Sequence, residues 1–131
     1  MSDKNWKELL GIDSDKVEDI RFVGYAYIKE GQYETALSFF EALVVLNPTS
    51  AYDLQTLGAL YLQTGDNMAA LNYLDRALKV DSEHLPTLLN RAKALFTLGY
   101  APQAIAQARA LTEAPDQSIA NSAEALLLAY T

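Results

Sequence analysis

The sequence predicts an all-α fold made of three consecutive helix-turn-helix repeats in a single domain. Two observations carry this prediction: small residues and glycines recur at one fixed interval, and no insertion interrupts the register. The classes that keep a 34-residue spacing are Gly24/Gly58/Ala92, Tyr27/Tyr61/Leu95, Gly31/Gly65/Gly99, Ala36/Ala70/Ala104, Phe40/Leu74/Ala108 and Leu43/Ala77/Leu111. The chain of 131 residues is therefore one unit repeated three times between two short terminal segments.

The N-terminal segment, residues 1–16, is predicted to be a helix followed by a linker. Within it, "DKNWKELL" has the pattern of a short amphipathic helix that Gly11 ends. Its apolar residues Trp6, Leu9 and Leu10 either cap the first repeat or form a second interface.

The three repeats are predicted at residues 17–50, 51–84 and 85–118. Each consists of two antiparallel helices, and Gly31, Gly65 and Gly99 follow the first helix of a repeat, where a left-handed cap favours glycine. The small residues of the other classes let two helix backbones approach closely, and the larger residues fill the neighbouring space. Pro48 and Pro115 end second helices.

The C-terminal segment, residues 119–131, is predicted to be a capping helix that closes the third repeat. Its row Leu126, Leu127, Leu128 and Tyr130 is more apolar than a solvent-facing cap needs. Either this row packs on helices of the same chain, or part of it covers something beyond the third repeat.

The repeat resembles the tetratricopeptide family, whose pattern is L-G-x-x-Y…A-x-x-x-F…P with a period of 34 residues. The matching stretches are "VGYAY" with "GQYETALSFFEALVVLNP", "LGALY" with "GDNMAALNYLDRALKV", and "RAKAL" with "GYAPQAIAQARALTEAP". The resemblance implies that the helix pairs coil into a right-handed superhelix. It also implies that the first helices form a concave wall, which is the usual ligand surface of this family.

On that wall we expect a partner-binding groove that is mostly apolar and aromatic. Its predicted residues are Arg21, Tyr25, Ile28, Tyr52, Gln55, Leu62, Leu89, Lys93 and Phe96, with Glu18, Ala59 and Pro86 beside them. The apolar members would contact an amphipathic helix or an extended apolar segment, while Arg21, Gln55 and Lys93 would fix its register. Alternatively, some of these side chains turn into the core or meet a terminal segment of the same chain.

Composition excludes several classes of function. The net charge of −7 disfavours nucleic acid and anionic membranes. It either keeps an apolar-rich chain soluble or favours a basic partner. The longest apolar runs, "ALVVL" and "ALLLAY", are far shorter than the ~20 residues of a membrane span. Without a secretory signal pattern or cysteine, the sequence favours a cytoplasmic protein.

No catalytic, metal or cofactor site is predicted, and we expect the chain not to be an enzyme. His84 is the single histidine and lies in "DSEHLP", beside Asp81 and Ser82. Because a triad is assembled in space, adjacency along the chain does not indicate hydrolysis. One histidine without cysteine is also a poor basis for a zinc site.

The stretches "YAYIKEGQYETALSFFEALVVLNP" and "LQTLGALYLQTGDNMAALNYLDRAL" are similar to the small chaperones of bacterial type III secretion. This resemblance implies a cytoplasmic bacterial chaperone that holds a hydrophobic segment of a secreted needle or translocator protein before export. It also implies a small co-chaperone or a second copy of the chain as a further partner. The alternative function is a tetratricopeptide scaffold or adaptor for protein assembly.

Overall fold

The structure is a computed structural model that describes Leu9, Gly11 and residues 13–131. From residue 13 onward these form helices joined by short turns, without a strand in this part of the chain. The helices are α1 (Ser14–Lys29), α2 (Tyr33–Leu46), α3 (Ala51–Thr64), α4 (Asn67–Val80), α5 (Leu85–Leu98), α6 (Ala101–Leu111) and α7 (Gln117–Tyr130). The prediction of an all-α fold is confirmed.

Helix starts and ends follow local sequence signals. Four helices begin after a residue whose side-chain oxygen accepts a hydrogen bond from a first-turn backbone N–H. These residues are Asp13, Ser50, Asp66 and Asp116. Gly31, Gly65 and Gly99 follow the first helix of each pair with φ of 74°, 93° and 86°, which confirms the predicted left-handed conformation.

The small residues of the repeat lie where two helices of one pair touch. A Cβ atom added at Gly24 would lie 2.9 Å from the Phe40 ring, and one at Gly58 would lie 2.7 Å from the Leu74 side chain. In the third pair the same two positions are both alanine, since the 34-residue spacing aligns Ala92 and Ala108 with them. In the first two pairs a glycine faces a large side chain, whereas in the third pair both positions hold alanine.

Each helix packs on the helices before and after it, so the core runs continuously along the stack. Phe40, Leu43, Leu57 and Leu74 are completely buried within it. Between the first two pairs, the Tyr61 hydroxyl donates a hydrogen bond of 2.7 Å to the Glu41 carboxylate. The stack is the superhelix that the repeat predicts, and the repeat bounds 17–50, 51–84 and 85–118 stay a prediction.

The first helices of the pairs are not evenly spaced. Cα atoms of α3 and α5 approach within 8 Å, as do those of α5 and α7, whereas those of α1 and α3 do not. Helix α7 also packs on α6, so it takes the place that the first helix of a fourth repeat would have. The concave side is therefore wider at its N-terminal end.

The structure describes little of the predicted N-terminal segment but all of the predicted C-terminal helix. Trp6 and Leu10 lie outside the described residues, while Leu9 is described and exposed. In α7, Leu126 and Leu127 pack against buried residues of the same chain, but Leu128 remains 85% exposed. Most of the apolar row thus packs on helices of the same chain, whereas Leu128 does not.

Candidate protein-binding groove

The concave side carries three hollows that follow one another along the first helices. The first hollow has a volume of about 450 Å³ between α1 and α3, and the second, of about 420 Å³, adjoins it. The third, of about 540 Å³, lies between α3, α5 and α7. Tyr25 and Tyr52 line both the first and the second hollow, and Ala59 and Gln63 line both the second and the third. Together the three hollows form one continuous groove.

The first hollow combines aromatic rings with acidic side chains. Tyr25 is 44% exposed and Tyr52 is 45% exposed, and Glu18 and Asp19 lie beside them. Phe22, at 76% exposure, completes the aromatic lining. Partial burial raises the pKa of Tyr52. A tyrosine hydroxyl is protonated at neutral pH even without that rise, so it can donate a hydrogen bond.

The second hollow is uncharged. Ile28 and Tyr33 form part of its apolar wall, and both also pack against the main core. Gln55 supplies an amide that donates to Thr56 Oγ1 at 3.2 Å. An apolar guest with occasional polar atoms fits such a lining.

The third hollow is more polar, and it is closed on one side by the C-terminal helix. Leu62 and Lys93 line it as predicted members of the wall, and Leu126 and Tyr130 line it from α7. Four further lining residues carry a side-chain amide or hydroxyl, namely Gln63, Asn67, Asn90 and Thr97.

Arg21 is held by the fold itself. Its guanidinium donates two hydrogen bonds of 2.7 Å to the two carboxylate oxygens of Asp53, which is completely buried. The guanidinium also pairs with Glu18. The hydrogen bond to Asp53 raises the pKa of Arg21. This bidentate pair joins α1 to α3 across the gap that their backbones leave open.

Leu89 and Phe96 do not lie on the open wall. Leu89 is buried in a cluster with Leu111, Ile119 and Ala123, and the Phe96 ring stacks on Tyr130 with the centroids 4.7 Å apart. The prediction that these two side chains are exposed on the wall is therefore wrong, because α7 covers them. Here the alternative prediction holds, in which a terminal segment of the same chain meets the wall.

The other predicted wall residues come together. Arg21, Tyr25 and Tyr52 line the first hollow, Ile28 and Gln55 the second, and Leu62 and Lys93 the third. Their role in binding a partner stays a prediction.

Sequence reasoning missed three features of this surface. Phe22 lies three residues before Tyr25 and so shares its helix face, a signal that was available in the sequence. Asp53 gives no local signal, because its partner lies 32 residues away. Tyr130 and Leu126 became visible as lining residues only once α7 was placed.

The single histidine is part of a helix start. His84 Nδ1 lies 2.7 Å from Thr87 Oγ1, and Thr87 is buried in the first turn of α5. The contact orders the turn between the second and third helix pairs.

Comparison with known proteins identifies the family. The family described as "Anaphase-promoting complex, cyclosome, subunit 3" matches residues 29–111, which is more than half of the chain. The chain belongs to this family. Anaphase-promoting complex subunit 3 of Schizosaccharomyces pombe is 28% identical over 97 residues, which are 73% of this chain and 15% of the relative. The chain spans only 9% to 17% of the length of the curated relatives that it matches.

Among solved structures, the fold is similar to that of type III secretion chaperones. The translocator chaperone SycD of Yersinia enterocolitica aligns with a TM-score of 0.78 and 20% identity, covering 98% of this chain and 99% of SycD. PcrH of Pseudomonas aeruginosa, in complex with the chaperone binding region of PopD, aligns with a TM-score of 0.79 and 26% identity, covering 92% and 94%. The chain is thus an all-α tetratricopeptide superhelix with a fold like that of these chaperones.

In the part of the chain that the structure describes, none of the helices combines the length and apolarity of a membrane span.

Proposed function

We propose that this chain is a cytoplasmic bacterial chaperone of type III secretion. It binds an amphipathic or hydrophobic segment of a secreted subunit in the concave groove and prevents premature assembly before export. The translocator class is the favoured guest, because the chaperones with a similar fold hold translocator segments. A needle subunit is the alternative guest.

The observation that carries the proposal is the open aromatic surface at the N-terminal end of the groove. Phe22, Tyr25 and Tyr52 are large, apolar and between 44% and 76% exposed on one hollow. Clustered exposed aromatics are a cost to a soluble protein unless a partner covers them. Rings of this kind also lose little conformational entropy when a guest is bound, which suits them as anchors.

The mechanism follows from this surface. A translocator carries apolar segments that associate or insert into membranes when they are exposed. Burying such a segment against the three hollows removes its apolar face from water and blocks that association. A second interface at Trp6, Leu9 and Leu10 would hold a small co-chaperone or a second copy of the chain.

The proposal is tested by capture from native cells, with a matched pair of variants. Tyr52→Ala removes a groove ring, while Tyr100→Ala removes a tyrosine of nearly equal exposure, 44%, that lines none of the three hollows. We expect a small secreted subunit to co-purify with the wild type and with Tyr100→Ala, and to be at least tenfold depleted with Tyr52→Ala. Equal recovery with both variants would reject the groove as the binding site.

A scaffold or adaptor within a larger assembly is the second candidate function. The family match favours it, because the family is described, and its Schizosaccharomyces pombe relative is named, as a subunit of a complex. In this case the captured proteins would be stable assembly components, and their recovery would not change when export is switched on.

A further inference from the structure

The two ends of the groove carry opposite charge, and we propose that they select a guest with matching polarity. The guest would have a basic residue over the first hollow, an apolar middle over the second, and a carboxylate over the third. This inference rests on the proposed function of the groove and adds the chemistry of the segment that it takes.

The first hollow is an acidic aromatic site. Glu18 and Asp19 line it, and Asp53 lies buried behind Arg21. These three carboxylates outnumber the cations beside them, which are Arg21 and Lys29, so the site keeps a net negative charge. Lys29 Nζ lies 5.5 Å from the centroid of the Tyr25 ring, which leaves the rings of Phe22 and Tyr52 for a cation of the guest. The positive charge of Arg21 is already bound to Asp53 and Glu18, so the site as a whole favours a cation. Aromatic faces beside carboxylates hold a lysine or arginine side chain through cation–π and ionic contacts together.

The third hollow is a weakly cationic site. Among the described residues that line it, Lys93 is the charged one. Asn67 and Asn90 add neutral hydrogen-bond donors around it, while the Thr97 hydroxyl donates to the Lys93 carbonyl at 2.9 Å. An ammonium group with neighbouring amides suits a carboxylate, which accepts from both.

The middle of the groove has no charge of its own to oppose an apolar guest. The second hollow is lined by side chains such as Ile28, Tyr33 and Leu60, together with the amides of Gln55 and Gln63. Apolar contact is not directional, so this part can hold a guest in either direction and in several registers. Charged ends remove that ambiguity, because only one direction and register pairs both of them.

The geometry also sets the distance between the two charges. Packed helices lie about 8–10 Å apart. Because α1 and α3 lie farther apart than packed helices do, the span from α1 to α5 is more than roughly 20 Å. An extended chain covers about 3.3 Å per residue. The basic and acidic residues of an extended guest should therefore be at least about six residues apart.

Three dye-labelled peptides test the inference by fluorescence anisotropy at low salt. Each has the same six-residue core of leucine, alanine and valine. One carries two lysines before the core and two glutamates after it, one carries two lysines at both ends, and one carries glutamines at both ends. The neutral peptide reports on the groove itself, and the other two report on its polarity.

We expect the peptide with lysines at one end and glutamates at the other to bind at least threefold more tightly than the neutral peptide. The peptide with lysines at both ends should bind less tightly than the lysine–glutamate peptide, because its second pair of lysines meets Lys93. An exposed ion pair changes affinity by a factor of about 1.5 to 5, so two pairs give this range. The preference should disappear in 0.5 M salt. In the protein variant Lys93→Glu, which makes both ends of the groove acidic, the order of the two charged peptides should reverse.

A control variant with the same charge change elsewhere is Arg109→Glu, since Arg109 does not line the groove. It should keep the wild-type order, and a reversal there would overturn the inference in favour of a general field effect. Equal binding of all three peptides would overturn the polarity while leaving the groove function intact. Failure of the neutral peptide and of both charged peptides to bind would reject the groove function as well.

Discussion

The two ends of the concave wall use equivalent repeat positions in different ways. Ile28 and Leu62 are half-buried and line hollows, while Phe96, at the same position of the third unit, is buried beneath Tyr130. Ile28 and Phe96 differ because α7 approaches α5 closely, whereas α1 and α3 stay apart. Leu62 stays half-buried although α5 approaches α3, so close approach of the next first helix does not by itself bury this position.

The side chains that join neighbouring first helices also differ between the two ends of the wall. At the wide N-terminal end, Arg21 and the buried Asp53 join α1 to α3 through two hydrogen bonds. One repeat later the equivalent positions hold Gln55 and Thr87, and there the backbones of α3 and α5 meet. An ion pair spans the gap where packing is loose, and neutral side chains suffice where it is tight.

The largest expected effect tests whether Arg21 belongs to the fold. Asp53→Ala should lower the free energy of unfolding by about 3–5 kcal/mol, because it leaves a partly buried guanidinium with only the exposed Glu18 as its partner. Asp53→Asn should cost less, since the amide oxygen still accepts one hydrogen bond. Urea denaturation measures both variants. A loss below ~1 kcal/mol for Asp53→Ala would mean that the pair contributes little to joining α1 and α3.

The next effect separates the covered end from the open end. Phe96→Ala should cost about 3 kcal/mol of stability, because it leaves a cavity beneath α7. Tyr25→Ala should cost less than ~1 kcal/mol, since nearly half of that side chain is exposed. If thermal or urea unfolding gave equal losses for the two variants, the contrast between the ends would be wrong.

A smaller effect is expected at Tyr130, which both covers Phe96 and lines the third hollow. Tyr130→Ala removes the ring stacked on Phe96 and should cost about 1 kcal/mol. It should also enlarge the third hollow, because Tyr130 forms part of its wall. Denaturation measures the first effect, and anisotropy with a longer apolar peptide measures the second. Weaker binding of that peptide would indicate that Tyr130 contacts the guest directly.

The smallest effect sharpens the role of the open aromatics. Tyr52→Phe should keep stability within ~0.5 kcal/mol and keep the captured guest, because the ring area is retained. Comparison with Tyr52→Ala by quantitative co-purification then assigns binding to the ring. If Tyr52→Phe loses the guest to the same extent as Tyr52→Ala, the hydroxyl would be the required group instead.

Most of the fold was predictable from the sequence, because the repeat signals are local. Gly31, Gly65 and Gly99 reveal their left-handed turns, and the pairing of Gly58 with Leu74 reflects volumes that alternate along one unit. These features depend on residues within a single helix pair.

The groove was predictable only in part. Tyr25, Tyr52 and Lys93 follow from helical spacing alone, and they line the hollows. The burial of Leu89 and Phe96 depends on where α7 packs, and the Arg21–Asp53 pair depends on the distance between two separate repeats. Such long-range contacts leave no periodic signal in the sequence.

The most direct test of the account is photocrosslinking in native cells. A benzoylphenylalanine would replace Tyr52 in one variant and Phe96 in another. We predict that position 52 crosslinks a small secreted subunit, whereas position 96 crosslinks only within the chain, to α7. A guest crosslinked from position 96 and none from position 52 would contradict the account, because α7 would then have to leave the wall to admit the guest.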